Sequence, residues 1–319
     1  MRKFLTRKYY SDKRQQTNAK TKALFALGVV SIVWGTTWIA SKQAVQNMPA
    51  LQMAGIRQFI GGVIFIIYFL VKKEQLPRGK QWITILNLSC LNFMLSNCLS
   101  TWGVKFISSG LGSIISAIFP LWVVIISMFA GKRLPPKALL GMLMGFSGVC
   151  IIFYDHLKDF FNADFRFGIL LSLAATVTWA FGTLYTKKHV VNFNPYVSLG
   201  FQMFISGVIL FMVAFVTGNT VSFTAIPATS WWAIGYLVLF GSLITFVAYI
   251  YTLQHLPATL ASVYAYINPI VAILLGALIL NEKLTIFIAA GGAITLAGVY
   301  LVNNSINKKI ILEAKEAII

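Results

Sequence analysis

Charge is scarce in this chain: Asp, Glu, Lys and Arg make up 11% of 319 residues, against an apolar share of 58%. Soluble domains carry about 25% charged and about 45–50% apolar residues, so a water-facing shell around so large a core is excluded. The bilayer must serve as part of the solvent. Acids are rarer still, eight against 26 Lys and Arg, and none of the eight lies inside a long apolar run. Cys90, Cys98 and Cys150 sit in apolar runs without CxxC spacing, which argues against a disulfide framework or a zinc site. Buried thiols of this kind behave as small hydrophobes. His156, His189 and His255 fall at the ends of the apolar runs or between them. HExxH, paired carboxylates and the GxxxxGK[ST] loop are missing, so metal-assisted or ATP hydrolysis lacks its residues. No cofactor and no metal are expected.

The formal net charge of +18 would suit nucleic acid, but the basic residues lie between apolar runs rather than along a groove lined by stacking aromatics. Nucleic acid is therefore not an expected partner. A crossing of about 30 Å of hydrocarbon takes about 20 residues, and ten runs meet that length: 23–41, 51–71, 81–102, 108–130, 137–154, 167–186, 195–217, 231–253, 258–280 and 284–302. Most prolines, among them Pro49, Pro77, Pro135, Pro227 and Pro257, fall in the gaps, and Pro195 opens a run; they punctuate the runs. With the N-terminus inside, the inner segments hold 20 Lys and Arg and the outer ones 5, Arg57 alone lying within a run. Positive loops face the cytoplasm, which predicts cytoplasmic termini at both ends of a multi-pass protein of the bacterial inner (plasma) membrane. The basic N-terminal stretch leads into an apolar run too long for a signal peptide, without an A-x-A site, and reads as an uncleaved first span.

The chain repeats itself. Shifted by 145, Trp34 falls on Trp179, Lys42 on Lys187, Phe59 on Phe204 and Gly62 on Gly207. Shifted by 149, Trp82 meets Trp231, Ser113 meets Ser262 and Pro120 meets Pro269; at 150, Leu134 meets Leu284, Gly141 meets Gly291 and Gly148 meets Gly298. Each copy holds five runs, and an odd number makes the second copy enter the membrane from the opposite side. The expected fold is an all-α integral membrane protein of ten transmembrane helices in two inverted five-helix repeats. Its expected parts are a basic cytoplasmic tail at 1–22, repeats at 23–154 and 167–302, an outer connection at 155–166 and a cytoplasmic tail at 303–319. Inverted repeats around a shared site are a recurrent plan of secondary transporters.

WGTTWIASK (34–42), WAFGTLYTKK (179–188), AGIRQFIGG (54–62), PATLASVYAYINPIVAILLGALILNEKL (257–284) and GGAITLAGVYLV (291–302) resemble the EamA branch of the drug/metabolite transporter superfamily. The resemblance covers nearly the whole chain and implies ten helices around a central cavity. It further implies transport of small metabolites, often export of amino acids or related compounds. One departure stands out: Lys132 occupies the place where the second copy, and the family pattern, carry an acid (Glu282).

Polar residues inside the runs are the candidates for a transport path. Ser109, Ser113, Ser116 and Pro120 share one helical face, as do Ser89, Asn92, Ser96 and Ser100. Each stripe has two readings, close helix packing or the lining of a wet cavity. Pro120 and Pro269 are expected to break their helices, since proline removes a backbone bond four residues back. Arg57 is either a functional or gating charge or a snorkelling one that reaches the outer interface. Trp34 and Trp179 pair across the repeat. The expected lining of the substrate site is Trp34, Asn92, Ser96, Trp179, Tyr266 and Asn268, with Arg57, Pro120, Pro269 and Glu282 as gating or helix-breaking positions. The expected partners are a small-molecule substrate and lipid. The rival reading is an integral-membrane enzyme acting on a lipid or lipid-linked substrate, with Asp155, Asp159 and Asp164 as its one acidic cluster.

Overall fold

Hydrocarbon offers a backbone no hydrogen-bond partner, so runs of this composition wind into helices that satisfy themselves internally. The structure, a computed structural model, describes residues 2–129, 131, 135–189, 194–256 and 264–316. Pro257, Lys132, Leu134 and Ser262, named above, lie outside them. Helices in chain order are α1 (Arg2–Val45), α2 (Ala50–Val71), α3 (Gln81–Phe106), α4 (Ser109–Ala117), α5 (Phe119–Phe129) and α6 (Pro136–Asp155). They continue with α7 (Ala163–His189), α8 (Pro195–Val216), α9 (Ala228–His255), α10 (Tyr264–Leu280) and α11 (Ile286–Glu316).

Among the described residues, nine helical stretches are long and apolar enough to cross a membrane, and α10 adds a shorter apolar helix of 17 residues. α1 runs unbroken from Arg2, with its membrane-length part at Ala19–Val45, and α11 continues past residue 302 to Glu316.

Backbone devices recur at equivalent places in the two halves. α2 and α8 end alike. Lys73 (φ 55) and Gly218 (φ 67) turn left-handed, and the next amides, of Glu74 and Asn219, bond back to Phe69 O and Ala214 O at 3.0 and 2.8 Å. Gly131 (φ 83) and Asn281 (φ 53) form a second left-handed pair. Within α3, Ser89–Asn97 is π-helical, and within α9 so is Leu237–Ile244. π-Helix is rare and frequent at functional sites.

The packing is reciprocal as well. α2 lies against α8, its own counterpart, and α6 against α11. A Cβ on Gly62 would collide with the Phe204 backbone, and one on Gly207 with the Phe59 backbone. A Cβ on Gly148 would come within 2.5 Å of Gly291 O, and one on Gly291 within 2.6 Å of Gly148 O. Small residues let membrane helices approach this closely. These pairings bring α1, α2, α3, α7, α9 and α10 around a common interior.

The α6–α11 contact predicts a sharp difference between adjacent glycines. Gly291→Ala is expected to destabilise the protein by about 1–3 kcal/mol through overpacking, read as earlier thermal unfolding in detergent. Gly292→Ala, whose added carbon would meet only Ile114 Cδ1 at 3.6 Å, is expected to unfold with the wild type. Equal melting of the two variants would remove close backbone contact as the reason for Gly291.

Candidate functional site

A cavity of about 120 Å³ lies between the two halves. α1 contributes Trp34, Thr37, Trp38 and Ser41; α2 contributes Arg57; α3 contributes Asn92, Ser96, Asn97, Ser100, Thr101 and Val104. From the other side come Ser172, Ala175, Thr176 and Trp179 of α7, Phe246 of α9, and Tyr264 and Asn268 of α10. One wall is aromatic. The Trp34 ring centroid lies 6.0 Å from Trp179, 5.3 Å from Phe246 and 5.1 Å from Tyr264, and Trp179 Nε1 donates to the Tyr264 hydroxyl at 3.3 Å. The other wall is hydroxyl- and amide-rich.

The first π segment opens onto this cavity, and the second lies behind it, joined to two lining residues, Trp34 and Arg57. The first carries Asn92, Ser96 and Asn97. Asn92 Nδ2 donates to Gln202 Oε1 at 3.4 Å, and Gln202 is itself held by Ser198 Oγ at 2.9 Å. Asn92 Oδ1 is wedged against Gly182, where any Cβ would displace it, and makes no hydrogen bond among the described residues. Asn268 Oδ1 is likewise buried and unpaired. The second π segment exposes its Gly241 carbonyl, which accepts from Trp34 Nε1 at 3.3 Å, and carries Ser242. Arg57 Nε donates to Ser242 Oγ at 3.0 Å.

Arg57 is 4% exposed, and the Ser242 bond is its one hydrogen bond among the described residues. Burial and the bond to Ser242 direct it into the protein rather than toward its surface. Among the described residues the one ion pair is His156 Nδ1 to Asp159 Oδ2 at 2.6 Å, far along the chain in the α6–α7 connection. Arg57 therefore stands in the interior without an acid beside it.

The model of the EamA-like transporter family matches residues 21–154 and again residues 166–304. The chain belongs to the EamA-like transporter family. It is 29% identical over 266 residues to the uncharacterized inner membrane transporter YedA of Escherichia coli K12, covering 82% of this chain and 83% of that one. It is 28% identical over 289 residues to the uncharacterized transporter YoaV of Bacillus subtilis, covering 86% and 95%. A solved structure described only as the crystal structure of a protein superposes with a TM-score of 0.63 at 17% identity, over 90% of this chain and 97% of that one. That likeness is one of fold alone.

In this EamA-like protein, Trp34, Asn92, Ser96, Trp179, Asn268 and Arg57 come together around the cavity. Tyr266 does not. It points away from the cavity into the α10–α11 packing, where its hydroxyl accepts from Asn303 Nδ2 at 2.6 Å and its ring meets Tyr300 at 6.3 Å. Helical spacing explains the difference, since positions 264 and 268 share a face from which 266 is turned away by about 200°. The two prolines sit differently. The chain is interrupted at Ile118, between α4 and α5, so Pro120 occupies the first turn of a new helix, a place proline tolerates. Pro269 lies inside α10, which runs unbroken from Tyr264 to Leu280.

Glu282 is remote from the cavity and acts on its scaffold. Its carboxylate accepts from Ser109 N at 2.7 Å, Ser109 Oγ at 2.8 Å and Gly110 N at 3.2 Å, capping the N-terminus of α4 with an anion where the helix dipole favours one. Across the same turn, Lys42 Nζ donates to the Lys105 and Ile107 carbonyls at 3.2 and 2.8 Å at the C-terminal end of α3. A cation from α1 and an anion from the α10–α11 turn thus clamp the α3–α4 corner. Sequence reading missed Thr37, Asn97, Ser172, Thr176 and Phe246; the small polar residues of SLAATVTW (172–179) recur at helical spacing and were the signal for two of them.

The clamp predicts a graded loss. Hydrogen bonds to a charged group are worth about 1.5–3 kcal/mol, so Glu282→Ala is expected to lower thermal stability in detergent by that order, and Glu282→Gln by less. Lys283→Ala, at the exposed neighbouring position, is the control. An unchanged melting temperature in Glu282→Ala would reduce the cap to a surface contact.

Proposed function

We propose that this protein is a permease of the bacterial inner (plasma) membrane that moves a small metabolite by alternating access through the cavity between its halves. The observation that carries the reading is the conjunction of reciprocal packing and a shared polar cavity. Helix counterparts α2 with α8 and α6 with α11 touch each other, and of two π segments at equivalent places one lines the cavity while the other holds two of its lining side chains, Trp34 and Arg57. Reciprocal contacts between counterparts are what a pseudo-two-fold relation between two five-helix repeats requires. The repeats are 23–154 and 167–302 in this reading, ten helices in all, with the second inverted and both termini cytoplasmic. The double match of the family model over 21–154 and 166–304 and the naming of YedA and YoaV as transporters point the same way. Trp34, Asn92, Ser96, Trp179 and Asn268 contact the solute, and the Glu282–Lys42 clamp at the α3–α4 corner holds one end of the path shut.

Rocking one half against the other would expose the cavity to each side in turn. The glycine seams of α2–α8 and α6–α11, where backbones approach closely, provide the contact for that movement.

Two measurements test the reading. A reporter fused after Asn219 is expected outside the cytoplasm and one fused within the 72–80 connection inside; finding both on one side would remove the inverted repeat. Purified protein in liposomes loaded with a bacterial metabolite extract is expected to release specific small compounds unchanged, identified by mass spectrometry. Ser96→Trp, which fills the cavity, abolishes that release while Tyr266→Phe retains it. Conversion of a lipid or extract component, without release, would favour the enzyme reading instead.

A further inference from the structure

We infer that Arg57 anchors the carboxylate of the transported solute, and that this solute is a small organic monoanion with a flat apolar body. The inference rests on the transport reading of the same cavity.

A guanidinium stays protonated at any physiological pH, and an ion taken out of water costs several kcal/mol unless something of opposite sign faces it. Arg57 is 4% exposed, lines the cavity and is held by a neutral hydroxyl, Ser242 Oγ, through Nε alone. Its two Nη groups carry no hydrogen bond among the described residues, and no Asp or Glu lines the cavity. The counter-charge has to arrive with the solute. A single guanidinium presents a planar pair of donors that matches one carboxylate, whereas a phosphate dianion would call for further cations. Ser242 occupies Nε, and Nη2 lies beside Gly241 of the same segment, which leaves Nη1 and the outer face of Nη2 for the solute.

The aromatic lining of the same cavity defines the rest of the molecule. Trp34, Trp179, Phe246 and Tyr264 form a continuous aromatic surface with edge contacts at 5.1 to 6.4 Å. Such a surface takes a flat apolar group by stacking or edge-to-face contact. The cavity volume is about 120 Å³, and an apolar cavity of about 150 Å³ admits benzene. The solute is of that order of size.

The test uses a charge series of one shape. Purified protein in nanodiscs is titrated with benzoate, benzamide and benzyl alcohol, and separately with sodium chloride, following tryptophan fluorescence, since Trp34, Trp38 and Trp179 line the cavity. Benzoate is expected to bind at least about tenfold more tightly than benzamide, as a charge-assisted bidentate pair requires. Arg57→Gln is expected to remove that preference, so that benzoate and benzamide bind alike, and Arg57→Lys to keep part of it. Should Arg57→Gln fail to fold, Ser242→Ala is expected to weaken benzoate several-fold and spare benzamide, because the guanidinium loses its bracket. Equal binding of benzoate and benzamide, no binding of either, or a chloride response that displaces benzoate at millimolar concentration would each overturn the assignment. The transport reading fails separately: release of neutral compounds from liposomes without a benzoate preference keeps the permease and discards the anchor. Arg57-dependent benzoate binding without any release keeps the anchor and discards the permease.

Discussion

Every backbone polar group within the hydrocarbon must find its partner inside the protein, and the rest of the molecule follows from that constraint. It makes the described spans helical from end to end and leaves few places where a carbonyl can face anything but its own helix. Those places are conspicuous. The π segments Ser89–Asn97 and Leu237–Ile244 widen the helix by about one residue per turn; the first lines the cavity and the second meets two of its lining side chains. There the Gly241 carbonyl meets Trp34 Nε1 and a side chain from Asn92 is fixed by Gln202. Irregular backbone sits where protein or water can satisfy it, and that location is also where a polar solute would pass.

A second consequence concerns how the halves meet. Between membrane helices the driving force is dispersion and fit rather than expulsion of water, so contact has to be close. Glycines at Gly62 and Gly207, and at Gly148 and Gly291, bring backbones into close approach. The bulkier residues are displaced to the interior, where Trp34 collects Trp179, Phe246, Tyr249 and Tyr264 around itself. The cavity is what remains between two smooth seams and one aromatic cluster.

Charge is distributed by the same economy. Lys42 and Glu282 lie at helix ends and are used to terminate helices, one at the C-terminal end of α3 and the other at the N-terminus of α4. Arg57 terminates nothing. It is carried into the interior on α2 and bracketed by a hydroxyl from α9, so its role lies in what it faces rather than in what it holds.

The apolar run lengths, the offsets of 145 to 150 residues and the pairing of Trp34 with Trp179 were all legible in the sequence, because span length, duplication and residue type are one-dimensional properties. The polar stripe from Asn92 to Ser100 was legible as a stripe. Which neighbour it would face was not, since periodicity assigns a face to a residue but no partner to the face. Tyr266 and Asn268 stand two positions apart in one apolar run, and only the placement of α10 against α1 and α11 sends Asn268 to the cavity and Tyr266 to Asn303. Arg57 could have reached for the interface from its depth; tertiary packing closed that route and turned it to Ser242. Pro269 reads as a break, yet α10 continues through it, because packed neighbours hold a helix whose one lost bond proline alone would not sever. The sequence by itself determined that the chain lies in a membrane and repeats; the tertiary structure decided which of its few polar atoms share one cavity, because that depends on helix rotation, which no local pattern encodes.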